Sequence, residues 1–175
     1  MANKKITGKG IGIIAVSDYL PSVSFVGKTK DGSEVKITVK NAINLDNIDW
    51  TLADKGEVIA AATFVGTYEE DSEVEPWEIV YAEPTASTNT KKPENIILGA
   101  GIFKIGDVEV GLTRGGGKFT VERTYRNIEA DGDGGTVKGR VMLDASTPKL
   151  QINLLTILNN VTSLHPSINV ESVTE

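Results

Sequence analysis

Residues 99–140 constrain the fold more than any other part of the chain, because short alternating segments are separated there by glycines. Val108 and Val110 alternate with polar residues, and residues 119–127, FTVERTYRN, alternate with aromatic and β-branched side chains. Alternation of this kind is typical of β-strands. The glycine run at 115–117 is expected to interrupt the strands, because glycine weakens regular elements. The sequence therefore predicts two or three strands with glycine-rich breaks between them.

The last of these strands continues into a long polar loop, residues 129–139, and the chain returns through Val141, Met142 and Leu143. Charged residues occupy both faces of the strand at 119–127, so neither face is well suited to a core. A long charged hairpin of this kind cannot be buried within its own small domain. The pattern predicts an arm that binds a partner.

Further strands are predicted before this stretch. Residues 11–16 are apolar on both faces when extended, which predicts a central strand, whereas the polar residues 1–10 are expected to be loose. Asp31-Gly32 between two alternating segments is a strong hairpin signal. A second hairpin is predicted through a turn at 54–57, although the helix formers at 57–62 leave a helix as the competing interpretation.

The C-terminal part combines a strand with the best helix candidate in the chain. A turn is predicted at 144–148, a half-buried strand at 149–154 and a short last strand at 168–173. Between them the apolar spacing becomes helical, at Leu155, Leu158, Val161 and Leu164. Proline at position 166 ends that helix. The sequence predicts one domain, residues 1–175, that is an all-β sandwich or open barrel with one short α-helix packed on the sheet.

Composition excludes several kinds of chemistry. The chain has no cysteine, hence no disulfide or thiol nucleophile, and its single histidine, His165, leaves little for histidine-based sites. The net charge of −6 argues against a general nucleic-acid binder. No apolar run approaches the about 20 residues that cross a membrane, and the N-terminus lacks the apolar segment of a signal peptide. Synthesis in the cytoplasm, without a membrane partner, is expected.

Two segments differ from the rest in composition. Residues 69–83 carry carboxylates but neither lysine nor arginine. They predict a solvated loop followed by a short strand through Trp77, Ile79 and Tyr81. The alternative is an acidic surface patch, at the rim or on the inner wall (lumen) of an opening, or a cation site. Residues 84–93 are poor in apolar side chains and rich in Thr, Ser, Asn and Lys, which predicts a linker.

The sequence predicts no cofactor or metal site. The glycine clusters at 8–12 and 99–106 lead into strands, whereas a dinucleotide fingerprint must open a helix. Residues 131–135, DGDGG, resemble the start of a calcium loop, but its twelfth position is Met142 rather than Glu.

Catalysis is not predicted either. His165 is interpreted as a cation at a helix C-terminus, and nothing places Ser163 beside it as a nucleophile on a strand–turn–helix elbow. Glu122 and Glu129 are a conceivable pair for glycoside hydrolysis, yet the aromatic residues that would line such a cleft are few.

Basic residues cluster around the predicted arm, at Arg114, Lys118, Arg123, Arg126, Lys138 and Arg140. A single-stranded nucleic acid would require exposed aromatic residues between them, and only Phe119 and Tyr125 qualify. The alternative is pairing with acidic residues of a neighbouring copy, for which residues 69–78 are candidates. Contacts between subunits are favoured, through Arg114, Arg123, Arg126 and Arg140.

These residues carry a resemblance. GAGIFKIGDVEVGLTRGGGKFTVERTYR and IEADGDGGTVKGR, residues 99–126 and 128–140, resemble the start of the major tail tube proteins of long-tailed bacteriophages. NAINLDNIDWTLADKGEVIAAATFVGTYE and EPWEIVYAE, residues 41–69 and 75–83, resemble the second half of that family. The order of the halves is reversed, so the chain resembles a circular permutant. Residues 1–83 correspond to the family's C-terminal half, 84–95 to a junction and 96–175 to its N-terminal half.

The resemblance implies a structural protein of the virion tail tube. Six copies would form a ring, and rings would stack into a channel through which DNA passes without specific binding. The partners would be further copies and other tail proteins. Stacking would use the polar loop, through Glu129, Asp131, Asp133, Gly134 and Lys138. The permutation suggests an engineered chain. The alternative function is a small monomeric β-sandwich that binds carbohydrate or a cell surface.

Overall fold

A computed structural model describes residues 3–48, 60–82, 97–155, 164–165 and 168–173. Those residues form ten strands and one short 3-10 helix (Val16–Asp18). The strands are β1 (Asn3–Gly8), β2 (Leu20–Thr29), β3 (Glu34–Asn44), β4 (Ala60–Gly66), β5 (Trp77–Tyr81), β6 (Ile97–Ile105), β7 (Val108–Glu109), β8 (Thr113–Asn127), β9 (Val141–Leu154) and β10 (Ile168–Val173). The predicted all-β class is confirmed. No helix in these ranges is long and apolar enough to cross a membrane.

The strands are arranged in two antiparallel sheets. The larger sheet has the order β7-β6-β2-β3-β4-β9-β8, with β5 also paired to β3, and the smaller sheet contains β1 and β10. One edge of β3 serves two partners, because residues 35–39 pair with β5 and residues 42–44 pair with β4. Asn41 lies between these segments with a φ of 47°. The sheet divides at this left-handed residue, and its two parts pack face to face as a sandwich-like arrangement.

The core fills the space between the two parts of the large sheet. Phe103 of β6 faces Gly117 of β8, where an added Cβ would lie 2.5 Å from both the Phe103 ring and the Gln151 carbonyl oxygen. Only glycine permits so close an approach. Most of the fully buried side chains are apolar and come from the central strands, among them Val23, Val39, Phe64, Leu150, Ile152 and Leu154.

The structure confirms the hairpin that Asp31-Gly32 predicts, between β2 and β3. Gly32 has a φ of +92°, and Asp31 Oδ1 accepts the Ser33 N–H at 3.0 Å. The Thr29 hydroxyl also donates to Asp31, and this bond, with that from Ser33, lowers the pKa of the Asp31 carboxyl. A short turn thus sets the register in which Gly27 opposes Val35.

Three predictions about local structure are wrong. Residues 11–15 form no strand, since no neighbouring strand lies beside them within the described residues. Residues 3–8 are ordered as β1 because β10 provides a partner. The predicted turn at 144–148 is part of β9, where Asp144 forms a bulge between the pairs Thr124↔Ala145 and Tyr125↔Leu143.

The glycine run of β8 interrupts the pairing without ending the strand. Thr113 pairs with Leu154 and Gly117 with Ile152, so β8 has extra residues between these pairs. Gly115 and Gly116 have φ values of +85° and +74°, a conformation that other residues rarely adopt. The run therefore serves as a bulge within one long strand, rather than as a turn between two.

Several predictions fall wholly or partly outside the described residues. These are the turn at 54–57, the linker at 84–93 and the helix at 155–164, apart from its ends. Of that helix, Leu164 is helical and fully buried in the core. The return strand of the second hairpin is confirmed over Ala60–Gly66. The short strand predicted in residues 69–83, the acidic segment, is confirmed over Trp77–Tyr81.

His165 directly follows the helical Leu164, as predicted, but its interpretation as a cation is not supported. The side chain is buried, with Nδ1 3.5 Å from Asn44 Nδ2, an arrangement that suits a neutral ring accepting from the amide. Burial lowers the pKa of His165, and the negative charge of Asp46 only partly opposes this. The charged ring is therefore disfavoured in the folded state.

This burial predicts a pH-dependent stability. Below the unfolded pKa of about 6.5 the unfolded chain binds the proton more readily, so the free energy of unfolding should fall as pH decreases from 7.5 to 5.5. Urea denaturation at pH values across this range measures the slope. His165→Gln should give a flatter profile over the same range. An equally steep profile for that variant would assign the effect to other groups.

Candidate interaction surface

The surface that stands out is the distal half of the β8–β9 hairpin. The two strands pair from Thr113↔Leu154 to Asn127↔Val141. Alternate residues of β9 between Ser146 and Leu154 are buried, whereas residues 141–145 are all exposed. We call residues 121–127 and 141–145, with the loop at 128–140, the arm. It extends beyond the core and presents both of its faces to solvent.

The arm carries more exposed apolar surface than a solvated hairpin requires. Tyr125 and Leu143 are cross-strand partners and are 58% and 42% exposed. The other large apolar side chains exposed on the arm are Ile128, Val141 and Met142. Contiguous apolar groups on a polar background mark interaction sites. In addition, β8 is the last strand of its sheet within the described residues, and no other described strand pairs with its outer edge, which is therefore available to a partner.

Charges interrupt this apolar surface. Arg126 Nε lies 3.0 Å from Asp144 Oδ2, and hydrogen bonding to that carboxylate raises the pKa of the guanidinium. Lys149 Nζ lies 2.7 Å from Glu122 Oε2 across the two strands. Exposed pairs of this kind contribute roughly 0–1 kcal/mol each. These pairs place charged groups on the surface of the arm but stabilise its fold little.

The acidic segment supports the base of the arm. Arg123 Nη2 lies 3.1 Å from Glu75 Oε2, and the Trp77 ring packs on Phe119 with centroids 5.8 Å apart. The Trp77 indole N–H also donates to Glu75, and this bond, followed by that from Arg123, lowers the pKa of the Glu75 carboxyl. Glu75 and Trp77 of the acidic segment therefore contact β8 at the point where the arm leaves the core.

The loop at the tip of the arm has its own internal bonds. Asp133 Oδ2 accepts the Ala130 N–H at 2.9 Å and pairs with Arg140 Nη1 at 2.7 Å. The Ile128 N–H donates to the Arg140 carbonyl oxygen at 2.9 Å. These bonds hold the two ends of the loop together. A loop ordered before binding loses less conformational entropy when it docks.

The structure places four of the five predicted stacking residues on the exposed surface of this loop: Glu129, Asp131, Gly134 and Lys138. The fifth, Asp133, is half-buried and holds the loop together from inside. Its position identifies it as an internal support of the loop rather than a free surface group.

The four predicted arginines are not equivalent. Arg123, Arg126 and Arg140 each pair with a carboxylate of the same chain. Arg114 lies at the opposite end of β8 and is exposed. The acidic segment, predicted as the partner of these arginines in a neighbouring copy, reaches one of them within its own chain through Glu75.

A groove of about 600 Å³ separates the acidic segment from the arm. Tyr68, Glu73, Leu143 and Asp144 contribute to its walls, and the Tyr68 hydroxyl donates to the Ser146 carbonyl oxygen at 3.1 Å. Sequence reasoning missed Tyr68, because a single tyrosine after a strand gives no signal of its own. Among the described residues, no group of three or more acidic, histidine or cysteine residues is arranged to hold a metal ion.

Sequence reasoning also missed the apolar character of the arm. The signal was present in Val141, Met142 and Leu143, but a run of three apolar residues reads equally well as a strand in the core. No family model, curated protein or solved structure matches the chain.

Proposed function

We propose that this protein is a structural subunit of a bacteriophage tail tube, in which copies assemble into rings and the rings stack into a channel for DNA. The observation that supports this most is the arm, whose exposed apolar residues and unpaired β8 edge would be buried by another copy. An exposed apolar surface of this kind is typical of a contact that a partner covers. The sequence resemblance supplies the kind of assembly, including rings of six copies in the virion tail.

Charge supports the second part of the proposal. A net charge of −6 repels DNA phosphates, so a channel built from this subunit would conduct DNA with little binding. Within the acidic segment, Glu70, Asp71 and Glu73 are exposed. Contacts with other copies and with other tail proteins would use the arm and the sheet edges.

The sheet topology supports the permuted order. Tyr81, the last residue of β5, pairs with Val35, and Ile97, the first residue of β6, pairs with Thr29. The β2–β3 hairpin separates them, so they lie about three strand spacings, or roughly 14 Å, apart at one end of the sheet. A chain that starts at β6 and ends at β5 could keep every strand pair. In that order β10 would continue into β1, its antiparallel neighbour, as a simple hairpin.

Electron microscopy of negatively stained protein at high concentration, with light scattering on the same sample, tests the proposal. Rings or hollow tubes are expected. A permuted variant that starts near Thr88 and ends near Glu83, with the present termini joined, is the matched comparison, because it has the family order and almost the same residues. If neither chain forms particles larger than a monomer, the tail-tube proposal fails. The alternative, a monomeric binding module, is then the better-supported function.

A further inference from the structure

The segment before β2 presents an unexpected apolar surface. Residues 10–17 contain no charge, and Ile11 and Ile13 are fully exposed. Val16 is also largely exposed. In sequence this segment has the pattern of a strand buried on both faces, yet it lies beside no strand in the described part of the chain. Among the described residues nothing covers Ile11 and Ile13, so their side chains are available to a partner.

An exposed ion pair and a short 3-10 helix join the two ends of this segment. Lys9 Nζ and Asp18 Oδ1 form an ion pair of 2.7 Å, and the 3-10 helix at Val16–Asp18 leads directly into β2. We call residues 10–17 the apolar loop. Because its two ends are held together, it can dock with less loss of conformational entropy than a free chain.

A matching cleft lies elsewhere on the same molecule. It has a volume of about 180 Å³ and lies between β6 and β8, lined mainly by Phe25, Ile37, Phe103, Gly117, Phe119 and Leu150. The Phe25 and Phe103 rings are in tilted contact, with centroids 5.1 Å apart. Within the described residues, β7 pairs only with Lys104 and Ile105, which leaves the rest of the outer edge of β6 open beside this cleft.

Charge distinguishes this cleft from the rest of the β8 edge. Beyond Phe119 that edge carries Glu122, Arg123 and Arg126. An uncharged apolar loop would leave those groups poorly solvated, whereas around Gly117 it would meet aromatic rings, backbone and a single charged side chain, the exposed Lys118. The segment bends at residues 11–12, and the Ile11 and Ile13 side chains are both fully exposed, so both are accessible to a cleft of another copy.

We propose that the apolar loop of one copy inserts Ile11 and Ile13 into the β6–β8 cleft of a second copy. The two surfaces differ, so the contact is heterologous, and repetition closes a ring if the rotation per subunit allows it. The inference rests on the proposed function, for which it names the contact within a ring. It is separate from the contacts of the arm.

Because the chain has no cysteine, a cross-link can test this contact without background. Copies carrying Ile13→Cys are mixed with copies carrying Lys118→Cys, since Lys118 lies at the cleft. Mild oxidation should give a mixed disulfide dimer, identified by intact mass. The control mixture replaces the second partner with Lys30→Cys, which is exposed in the β2–β3 turn. Disulfides require Cα atoms within about 7 Å, so the control should give little product.

A second variant measures how much the contact contributes. Ile11→Ser/Ile13→Ser should raise the concentration needed for assembly at least about tenfold, because two buried isoleucines are lost. Leu45→Ser/Ile48→Ser removes two other exposed apolar side chains and should leave that concentration unchanged. Circular dichroism checks that both variants retain their β structure.

The outcomes separate this contact from the tail-tube proposal. If the unmodified protein assembles but both cysteine mixtures cross-link equally or not at all, the loop–cleft contact is wrong and the tail-tube proposal stands. If the unmodified protein forms no assembly and no specific cross-link is found, both proposals fail. A cross-link specific to Lys118→Cys, together with weaker assembly of the Ile11→Ser/Ile13→Ser variant, establishes the contact.

Discussion

Replacing the apolar pair of the arm, Tyr125→Ser/Leu143→Ser, is expected to abolish assembly while the subunit stays folded. The two side chains are cross-strand partners on an exposed ribbon and contribute little to the core. In an assembly they would be covered by another copy. Removing a buried tyrosine and a buried leucine from a contact costs several kcal/mol, or more than about a hundredfold in affinity.

The chain offers a closely matched control. Tyr81 and Ile79 lie two residues apart on β5 and are 62% and 42% exposed, nearly the same as Tyr125 and Leu143. Ile79→Ser/Tyr81→Ser removes a tyrosine and an isoleucine, which has the same number of carbons as leucine, from a different strand. Light scattering and electron microscopy of both double variants show whether the effect belongs to the arm. If the Tyr125→Ser/Leu143→Ser variant assembles at the same protein concentration as the unmodified chain, the proposed role of the arm is wrong.

The second large effect concerns the core. Phe64→Ala is expected to lower the free energy of unfolding by about 3–5 kcal/mol. Phe64 is fully buried at the middle of β4, between Asn44 on one side and Leu150 on the other. Both neighbouring strands are held by their own hydrogen bonds and cannot close the space left by the ring. The transfer cost of the lost carbons therefore adds to the cost of a cavity.

Urea denaturation measures this change best in a monomeric background. Assembly stabilises the folded subunit by mass action, so the Tyr125→Ser/Leu143→Ser chain is the suitable parent if it proves monomeric. Val80→Ala, at an exposed position of β5, is the control and should change stability by less than about 0.5 kcal/mol. A loss below about 1 kcal/mol for Phe64→Ala would show that the core repacks around the missing ring.

The elements that could be predicted were those whose signal is local. Asp31-Gly32 determines its hairpin because the turn, not the surroundings, requires the positive φ of Gly32. The alternation around Trp77 and in residues 149–154 predicted β5 and the inner half of β9. Alternate residues are buried only in the inner half of β9, whereas β5 is mostly exposed. The polar loop, predicted at 129–139, was evident from its glycines and charges, and the structure places it between β8 and β9.

The errors came from signals that depend on a distant partner. Residues 11–16 have the composition of a central strand, but a strand exists only where another strand pairs with it. Residues 3–8 show the converse, because a polar segment became β1 once β10 lay beside it. The turn residues at 144–148 were overridden by β8, which extends the pairing across Asp144 as a bulge.

The candidate surface was predictable in location but not in chemistry. The charged residues of the arm were visible in the sequence, and they led to the prediction that arginines contact neighbouring subunits. The structure pairs Arg123, Arg126 and Arg140 within the chain and leaves the apolar side chains of the arm exposed. Whether a given apolar residue lies in a core or on a surface depends on which strands cover it, and that is not encoded in local spacing.

By itself, the sequence determined the β class, the turns built on glycine and the long charged hairpin, because backbone preference and alternation act over a few residues. Only the tertiary structure decided three features. It decided which sheet edges remain open, that the pairing partner of β3 changes at Asn41, and that Ile11 and Ile13 lie outside the core. Those features follow from pairing between strands far apart in the chain. Burial is a property of that pairing, so it becomes visible only when the strands are brought together.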